Sequence, residues 1–277
     1  MLSRLALVAV VACAAAGALV REMGAAYVCP DGLLCLASPI GADDPRLFAA
    51  LGHRLLGLVA IVSVVAAALR HGSARPLAAA VALVAVVAQP LVGVGVERML
   101  LEPTWVMAHL GLSLLCVGAL SALSWPRAAS GPSLELLGGS VLALAVVAVG
   151  AAGASGAQEL CTGWPLCRPS EGSAWLVDGA RSLMLLALGL LAAIAVRRGR
   201  SSRAQVVLRL CGLLIGADLA LFATGASPEF AVAQTMLLHV AVAGAWWLLP
   251  ASGWLVADRP ATSPLPTSAP PSGAPTT

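Results

Sequence analysis

Charged residues are scarce in this 277-residue chain, and lysine is missing altogether. Charged side chains make up 10% of the residues, compared with roughly 25% in ordinary soluble domains, whereas apolar residues make up 60%. This composition excludes a soluble globular protein. The net charge of +3 comes only from arginines, whose placement indicates membrane topology, so nothing in the charge indicates binding to nucleic acid.

Long apolar runs fill most of the sequence. A bilayer core about 30 Å thick needs roughly 20 apolar residues per helix, and the chain contains eight such runs. They lie at 4–20, 47–69, 76–96, 104–124, 134–153, 174–196, 204–224 and 230–250. We therefore predict an all-α membrane protein with eight transmembrane helices. The first run resembles the apolar region of a signal peptide, but seven spans follow it, so we interpret it as a retained helix.

The arginines predict the orientation of these helices. If the N-terminus is inside, the inner segments carry most of the arginines, and the arginines of the outer segments are diluted by Asp and Glu. The positive-inside rule then places both termini on the cytoplasmic side of a cell (inner) membrane. Residues 258–277 are rich in Pro, Ser and Thr, so we predict a disordered cytoplasmic tail.

Two cysteine-bracketed loops indicate an internal duplication. Cys29 and Cys35 bracket the first loop, and Cys161 and Cys167 bracket the second with the same spacing, each after a long apolar run. Both loops are predicted on the outer face, where disulfides persist, so we expect one disulfide within each loop. Neither loop contains a third soft ligand, which argues against a metal site there.

The duplication divides the chain into two pseudo-symmetric four-helix bundles, one at 1–128 and one at 129–257. Three further cysteines, Cys13, Cys116 and Cys211, lie inside predicted helices. We interpret them as small apolar packing residues.

Three of the four histidines lie inside predicted spans: His53 in the second, His109 in the fourth and His239 in the eighth. His53 and His109 are predicted roughly 8–9 Å below the outer boundary, and His239 slightly deeper. Such side chains can make hydrogen bonds between helices, but ionisable groups at membrane depth commonly mark functional sites. Two facing imidazoles can ligate a heme iron axially. Arg54 is then placed to contact a heme propionate, or simply to snorkel to the interface.

Several motifs, taken in order, make the chain resemble the heme A synthase family of eight-helix membrane proteins. In the first half they are the segment 17–24, the first cysteine loop, His53-Arg54, the segment 89–95 and the segment 101–110 that ends just after His109. In the second half they are the segment 153–156, the second cysteine loop and His239 in the last helix. The resemblance extends to about residue 250.

The resemblance implies an oxidoreductase that oxidises the C8 methyl of heme O to a formyl group, giving heme A for cytochrome oxidase assembly. His53 and His109 would be the axial ligands of the substrate heme, and His239 a ligand of a cofactor heme b in the C-terminal half. The implied partners are heme O synthase (protoheme farnesyltransferase), a quinol or ferredoxin-type electron donor and membrane lipid. A homo-oligomer remains open.

Two positions depart from the family pattern. The family has a Glu three residues before its first histidine, where this chain has Ala50. The second-half counterpart of His53-Arg54 is Ala180-Arg181, which leaves the C-terminal heme with His239 as its histidine ligand. These departures keep open a non-catalytic heme-binding or oxidase-assembly protein on the same scaffold. A membrane thiol–disulfide oxidoreductase is a further alternative, although five residues separate each cysteine pair, more than in a C-x-x-C motif. The role of Asp218 in the seventh span stays open.

The cysteine loops generate the first testable prediction. We expect Cys29–Cys35 and Cys161–Cys167 disulfides, each stabilising the protein by about 2 kcal/mol in the chain-entropy model. Peptide mapping without reductant should recover both loops as cross-linked peptides. Recovery of all four cysteines as free thiols would contradict the prediction.

Overall fold

The computed structural model describes most of the first half of the chain and one long helix of the second. The described residues are 1–29, 41, 43–98, 102–124, 143, 144, 147, 174–197, 205, 208, 209 and 211–216, with only the backbone at 174–181, 194, 195 and 197. Among these residues the regular structure is helical throughout.

Five long helices and one short 3₁₀ helix make up the described structure. They are α1 (Leu2–Glu22), the 3₁₀ helix (Ala25–Tyr27), α2 (Pro45–His71), α3 (Pro76–Arg98), α4 (Pro103–Ser124) and α5 (Ala174–Arg197). The first four long helices are each long and apolar enough to cross a membrane. The prediction of an all-helical membrane protein is therefore confirmed for the part of the chain that these helices cover.

The helix bounds refine the predicted spans. Helix α2 begins at Pro45 and ends at His71, two residues beyond the predicted span 47–69 at each end. Helix α5 coincides with the span predicted at 174–196. The remaining predicted spans, at 134–153, 204–224 and 230–250, lie mostly or wholly outside the described residues, so the second bundle stays a prediction.

Helices α1 to α4 form a four-helix bundle in which each helix packs chiefly against two others, and α2 also touches α4. Helix α1 contacts α2 and α4, and α3 contacts α4 and α2, so consecutive helices are neighbours and the ring closes between α1 and α4. The short connections after α2 and α3 make neighbouring helices antiparallel. Helices α2 and α4 consequently run parallel to each other on diagonally opposite sides of the ring.

The two ends of the bundle are packed differently. At the end where α2 and α4 finish, small side chains let the helices approach closely. Fully or almost fully buried residues there are Val64, Ala67, Ala78, Ala82, Val117 and Leu120. The turn from α2 to α3 is equally close, because a Cβ on Gly72 would lie 2.7 Å from the carbonyl oxygen of Ala68. The Arg75 guanidinium donates to the carbonyl of Ala122, which ties α3 to α4 at this end.

The opposite end, called here the Cys29 end, is where α1 finishes and α2 and α4 begin. Gly24 ends α1 with a left-handed backbone (φ 61°), a conformation that residues with a Cβ rarely adopt. The chain then turns back through the 3₁₀ helix, so that Ala25, Val28 and Cys29 bury themselves against Ala50 of α2. This small apolar cluster fixes the first cysteine above the start of α2.

An acidic residue followed by proline starts each of the two diagonal helices. The Asp44 carboxylate accepts a hydrogen bond from the Arg46 backbone N–H at 2.8 Å, with Pro45 as the first residue of α2. The Glu102 carboxylate accepts from the Thr104 hydroxyl at 2.7 Å and from the Thr104 N–H at 3.1 Å, with Pro103 as the first residue of α4. Such caps satisfy backbone donors that a helix start leaves unpaired.

The Asp44 cap predicts a pH-dependent contribution to stability. Hydrogen bonds from the Arg46 side chain and then its backbone lower the pKa of Asp44 below its ordinary value of 3.8. The stabilisation is therefore complete above that ordinary value and is lost as the pH falls through the folded-state value. We expect the Tm of the detergent-solubilised protein to exceed that of Asp44→Asn at pH 7, and this small difference to shrink as the pH falls below 3.8. Asn caps a helix without a charge, so a pH-independent difference would contradict the prediction.

Candidate functional site

Polar side chains collect in the half of the bundle nearer the Cys29 end. His53 and Arg54 lie on α2, Gln89 on α3 and His109 on α4. Of the described residues around these side chains, 51–59, 87–98 and 103–112, only Val106 is buried and the others are partly or fully exposed. The bundle is thus tightly filled at one end, and at the other it carries partly buried polar groups among apolar neighbours.

The His53 ring is anchored to α1. Its Nδ1 lies 3.0 Å from the carbonyl oxygen of Cys13. Because a carbonyl oxygen can only accept a hydrogen bond, the neutral ring donates through Nδ1, and Nε2 keeps its lone pair. Metal-bound histidines are typically oriented in this way by a backbone carbonyl.

Cys13 completes this contact from the other direction. Its thiol donates to the His53 carbonyl oxygen, with Sγ 3.7 Å from that oxygen and 3.7 Å from His53 Nδ1. The sequence had indicated a packing role for this cysteine. The structure adds to that role, because thiol, carbonyls and imidazole together join the middle of α1 to α2.

The His109 ring lies on the opposite side of the bundle, against α3. The Gln89 amide nitrogen donates to the His109 carbonyl oxygen at 3.0 Å. Two buried polar atoms of this pair, His109 Nδ1 and Gln89 Oε1, have no hydrogen-bond partner. His109 is therefore held by its backbone, and its ring is less constrained than that of His53.

A glycine on the neighbouring helix faces each imidazole. A Cβ added to Gly17 of α1 would lie 3.0 Å from His53 Cε1, and one added to Gly93 of α3 would lie 3.5 Å from His109 Cε1. Gly95, two residues after Gly93 on α3, similarly leaves room for the ring of Trp105 at the start of α4. Glycine at these positions of the segments 17–24 and 89–95 leaves room for rings from the adjacent helix.

The two histidines occupy comparable depths on the diagonal helices. His53 follows Pro45 by eight residues and His109 follows Pro103 by six, which corresponds to roughly 12 and 9 Å along the helix axis. Both rings therefore lie in the half of the bundle nearer the Cys29 end, on the diagonal helices α2 and α4.

Arg54 links the histidine site to the cysteine loop. Its Nη2 donates to the Cys29 carbonyl oxygen at 3.0 Å and to a carboxylate oxygen of Glu97 at 2.8 Å. The Arg54 side chain is only 12% exposed and that of Glu97 is 37% exposed, so this ion pair is shielded from solvent more than a typical surface pair. The guanidinium thus joins α2 to α3 and to the backbone of Cys29.

Cys29 itself is buried and disulfide-bonded. Its partner lies outside the described residues, so pairing with Cys35 remains a prediction. Cys161, Cys167, His239 and Asp218 also lie outside the described residues, and at Ala180 only the backbone is described. The described free cysteines are Cys13, Cys116 and Cys211.

The donor set suits a heme better than a bare metal ion. Within the described residues no group of three or more His, Cys, Asp or Glu side chains is placed to hold a metal ion, whereas a structural zinc site uses four such ligands. A heme iron needs only two axial imidazoles, since the macrocycle supplies the other ligands. The oriented His53 and the glycines against both rings fit such a group.

Comparison with protein-family models and with curated proteins found no match for this chain. The case for a function therefore depends on the residues themselves. Sequence reasoning had missed the hydrogen-bonding role of Cys13 and the whole contribution of Gln89. Gln89 could have been found, because an amide inside an apolar span needs a partner on another helix.

A series of glycine substitutions tests this close packing. Gly17→Ala should lower the Tm, because His53 would have to shift by a few tenths of an ångström, and Gly95→Ala should lower it more, because a Cβ would overlap the Trp105 ring. Gly111→Ala is the matched control, since nothing lies near its Cβ position. Alanine should there be neutral or stabilise the helix by up to about 1 kcal/mol. Equal Tm changes for the three variants in detergent would contradict the packing.

Proposed function

We propose that this protein is a heme A synthase-like oxidoreductase whose N-terminal bundle binds the substrate heme between His53 and His109. The observation that carries the proposal is the orientation of His53. Its Nδ1–H is engaged by the Cys13 carbonyl, so Nε2 is the nitrogen available for an iron, and His109 lies on the diagonal helix α4 in the same half of the bundle.

In this proposal the residues of the chain bind and orient the heme. His53 and His109 would hold the heme iron, and Gly17 and Gly93 let both rings lie close to the neighbouring helices. Arg54 would neutralise a propionate at the Cys29 end, sharing its guanidinium with Glu97. Converting the C8 methyl of heme O to the formyl group of heme A removes four electrons and adds one oxygen atom, so dioxygen would be consumed as the oxidant and reduced to water. Heme O synthase would supply the substrate, and a quinol or ferredoxin-type donor would supply any further electrons that the reduction of dioxygen takes up.

The finer architecture belongs to the same proposal. The second half would repeat the four-helix bundle and hold a heme b on His239. With Ala180 in place of a second histidine, that heme would be five-coordinate or take a ligand from elsewhere. The whole chain would lie in the inner membrane with both termini cytoplasmic and the cysteine loops outside.

One observation favours a second candidate, a heme-binding assembly protein without catalysis. The position at which the family has Glu is Ala50, which is 4% exposed and packs in the apolar cluster with Ala25, Val28 and Cys29. A carboxylate there is thus replaced by apolar packing. The carboxylate that pairs with Arg54, four residues after Ala50, comes from Glu97 of α3. An enzyme on this scaffold would therefore still have a carboxylate nearby.

Co-expression with a heme O-forming farnesyltransferase separates the two candidates. Heme extracted from the purified protein is identified by mass. Heme A in the extract supports the oxidoreductase, whereas heme B or heme O alone supports the binding protein. An extract without heme contradicts both.

Single histidine variants test the ligand assignment. His53→Ala or His109→Ala should abolish the low-spin absorption and electron paramagnetic resonance signals of the N-terminal heme, because the iron loses one axial nitrogen. His71→Ala is the matched control, since His71 ends the same helix α2 at the far end of the bundle. Its spectrum should equal that of the unmodified protein.

The folded state of each variant is checked by its Tm and its elution volume in detergent. If both His53→Ala and His109→Ala keep the spectrum and heme stoichiometry of the parent protein, the assignment is wrong.

A further inference from the structure

The interface between α3 and α4 contains two buried polar atoms of complementary kind. Gln89 Oε1 is a hydrogen-bond acceptor, and His109 Nδ1 is a donor when it carries the ring proton. Neither has a partner. A buried polar group without a partner destabilises the protein, and pairing the two atoms with each other removes both penalties.

The Gln89 side chain already contacts the backbone of His109. Its amide nitrogen donates to the His109 carbonyl oxygen at 3.0 Å. A Cβ on Gly93, one turn further along α3, would lie 3.5 Å from His109 Cε1 and 3.8 Å from His109 Nδ1. The Cε1 and Nδ1 atoms of the ring therefore approach α3, on the helix face that carries Gln89.

We propose that Gln89 is the positioning residue of His109. Its Oε1 accepts the hydrogen of Nδ1 while its Nε2 keeps the bond to the His109 carbonyl, so one amide holds both the backbone and the ring of the same residue. The ring then presents Nε2 with a free lone pair. His53 reaches the same state through the Cys13 carbonyl. The Gln89 side chain thus orients His109 as the Cys13 backbone orients His53.

The consequence for a bound heme depends on the proposed function. An acceptor at Nδ1 makes the imidazole a stronger donor through Nε2, which favours the ferric iron and lowers the reduction midpoint potential. Loss of such an orienting partner typically weakens metal binding roughly 10–100-fold. Gln89 would thereby set both the retention and the potential of the heme, without touching it.

The first experiment needs no heme. Nitrogen-15 NMR of the heme-free, full-length protein with labelled histidine, assigned with the variant His109→Asn, reports which ring nitrogen of His109 carries the proton. Neutral imidazole in water favours the proton on Nε2. The proposal predicts it on Nδ1 in the parent protein and on Nε2, or exchanging, in Gln89→Leu.

Val87→Leu is the control, because Val87 is an exposed residue of α3 and its change should leave the tautomer unaltered. A proton on Nε2 of His109 in the parent protein, or the same tautomer in Gln89→Leu, overturns the proposal. This result stands whether or not the protein binds heme, so it is independent of the proposed function.

The second experiment uses the heme-loaded protein. Gln89→Leu should bind heme roughly 10–100-fold more weakly and shift the midpoint potential upward. Gln89→Glu offers Nδ1 a stronger acceptor but has no donor for the His109 carbonyl oxygen, so it should shift the potential downward while the interface loses one hydrogen bond. A merely structural role would lower the Tm of both variants without moving the potential in opposite directions, and that outcome overturns the proposal.

Discussion

Polar groups inside the apolar part of this bundle must find their partners on neighbouring helices, because hydrocarbon offers none. The described half of the molecule is organised by this constraint. His53 reaches the Cys13 carbonyl across α1 and α2, Gln89 reaches the His109 carbonyl across α3 and α4, and Arg54 joins α2 to α3 through Glu97. Each contact connects a consecutive pair of helices, so these polar groups also specify the order of the ring.

Small residues make these contacts possible. Close approach of helices in a membrane depends on glycine and alanine at the interfaces, and the described bundle uses the two in different places. Alanines such as Ala67 and Ala82 fill the end away from Cys29, where the helices pack against each other. Glycines such as Gly17 and Gly93 lie nearer the Cys29 end, where each leaves room for an imidazole from the next helix. The end away from Cys29 is thus closely packed and stabilises the bundle, whereas the Cys29 end holds the two imidazole rings against neighbouring helices.

The Arg54 contacts also tie the Cys29 end of the bundle together. The guanidinium joins the residue after His53 to the backbone of Cys29 and to the carboxylate of Glu97. Cys29 is therefore anchored to the helix that carries a candidate ligand. Ala50 packs in the apolar cluster with Cys29, so apolar packing takes the place of a carboxylate at that position.

The sequence by itself determined the class of the protein, the four described membrane helices and the choice of His53 and His109, because apolar run length and the cost of burying an ionisable group are local properties. Helix ends were predicted to within a few residues, and the acid–proline pairs at Asp44 and Glu102 explain where α2 and α4 begin. Only the tertiary structure decided that α2 and α4 are diagonal, that His53 donates through Nδ1 and that Gln89 lies against His109. Those contacts join residues 40 and 20 positions apart, and their geometry depends on which helix faces meet, which no local pattern specifies.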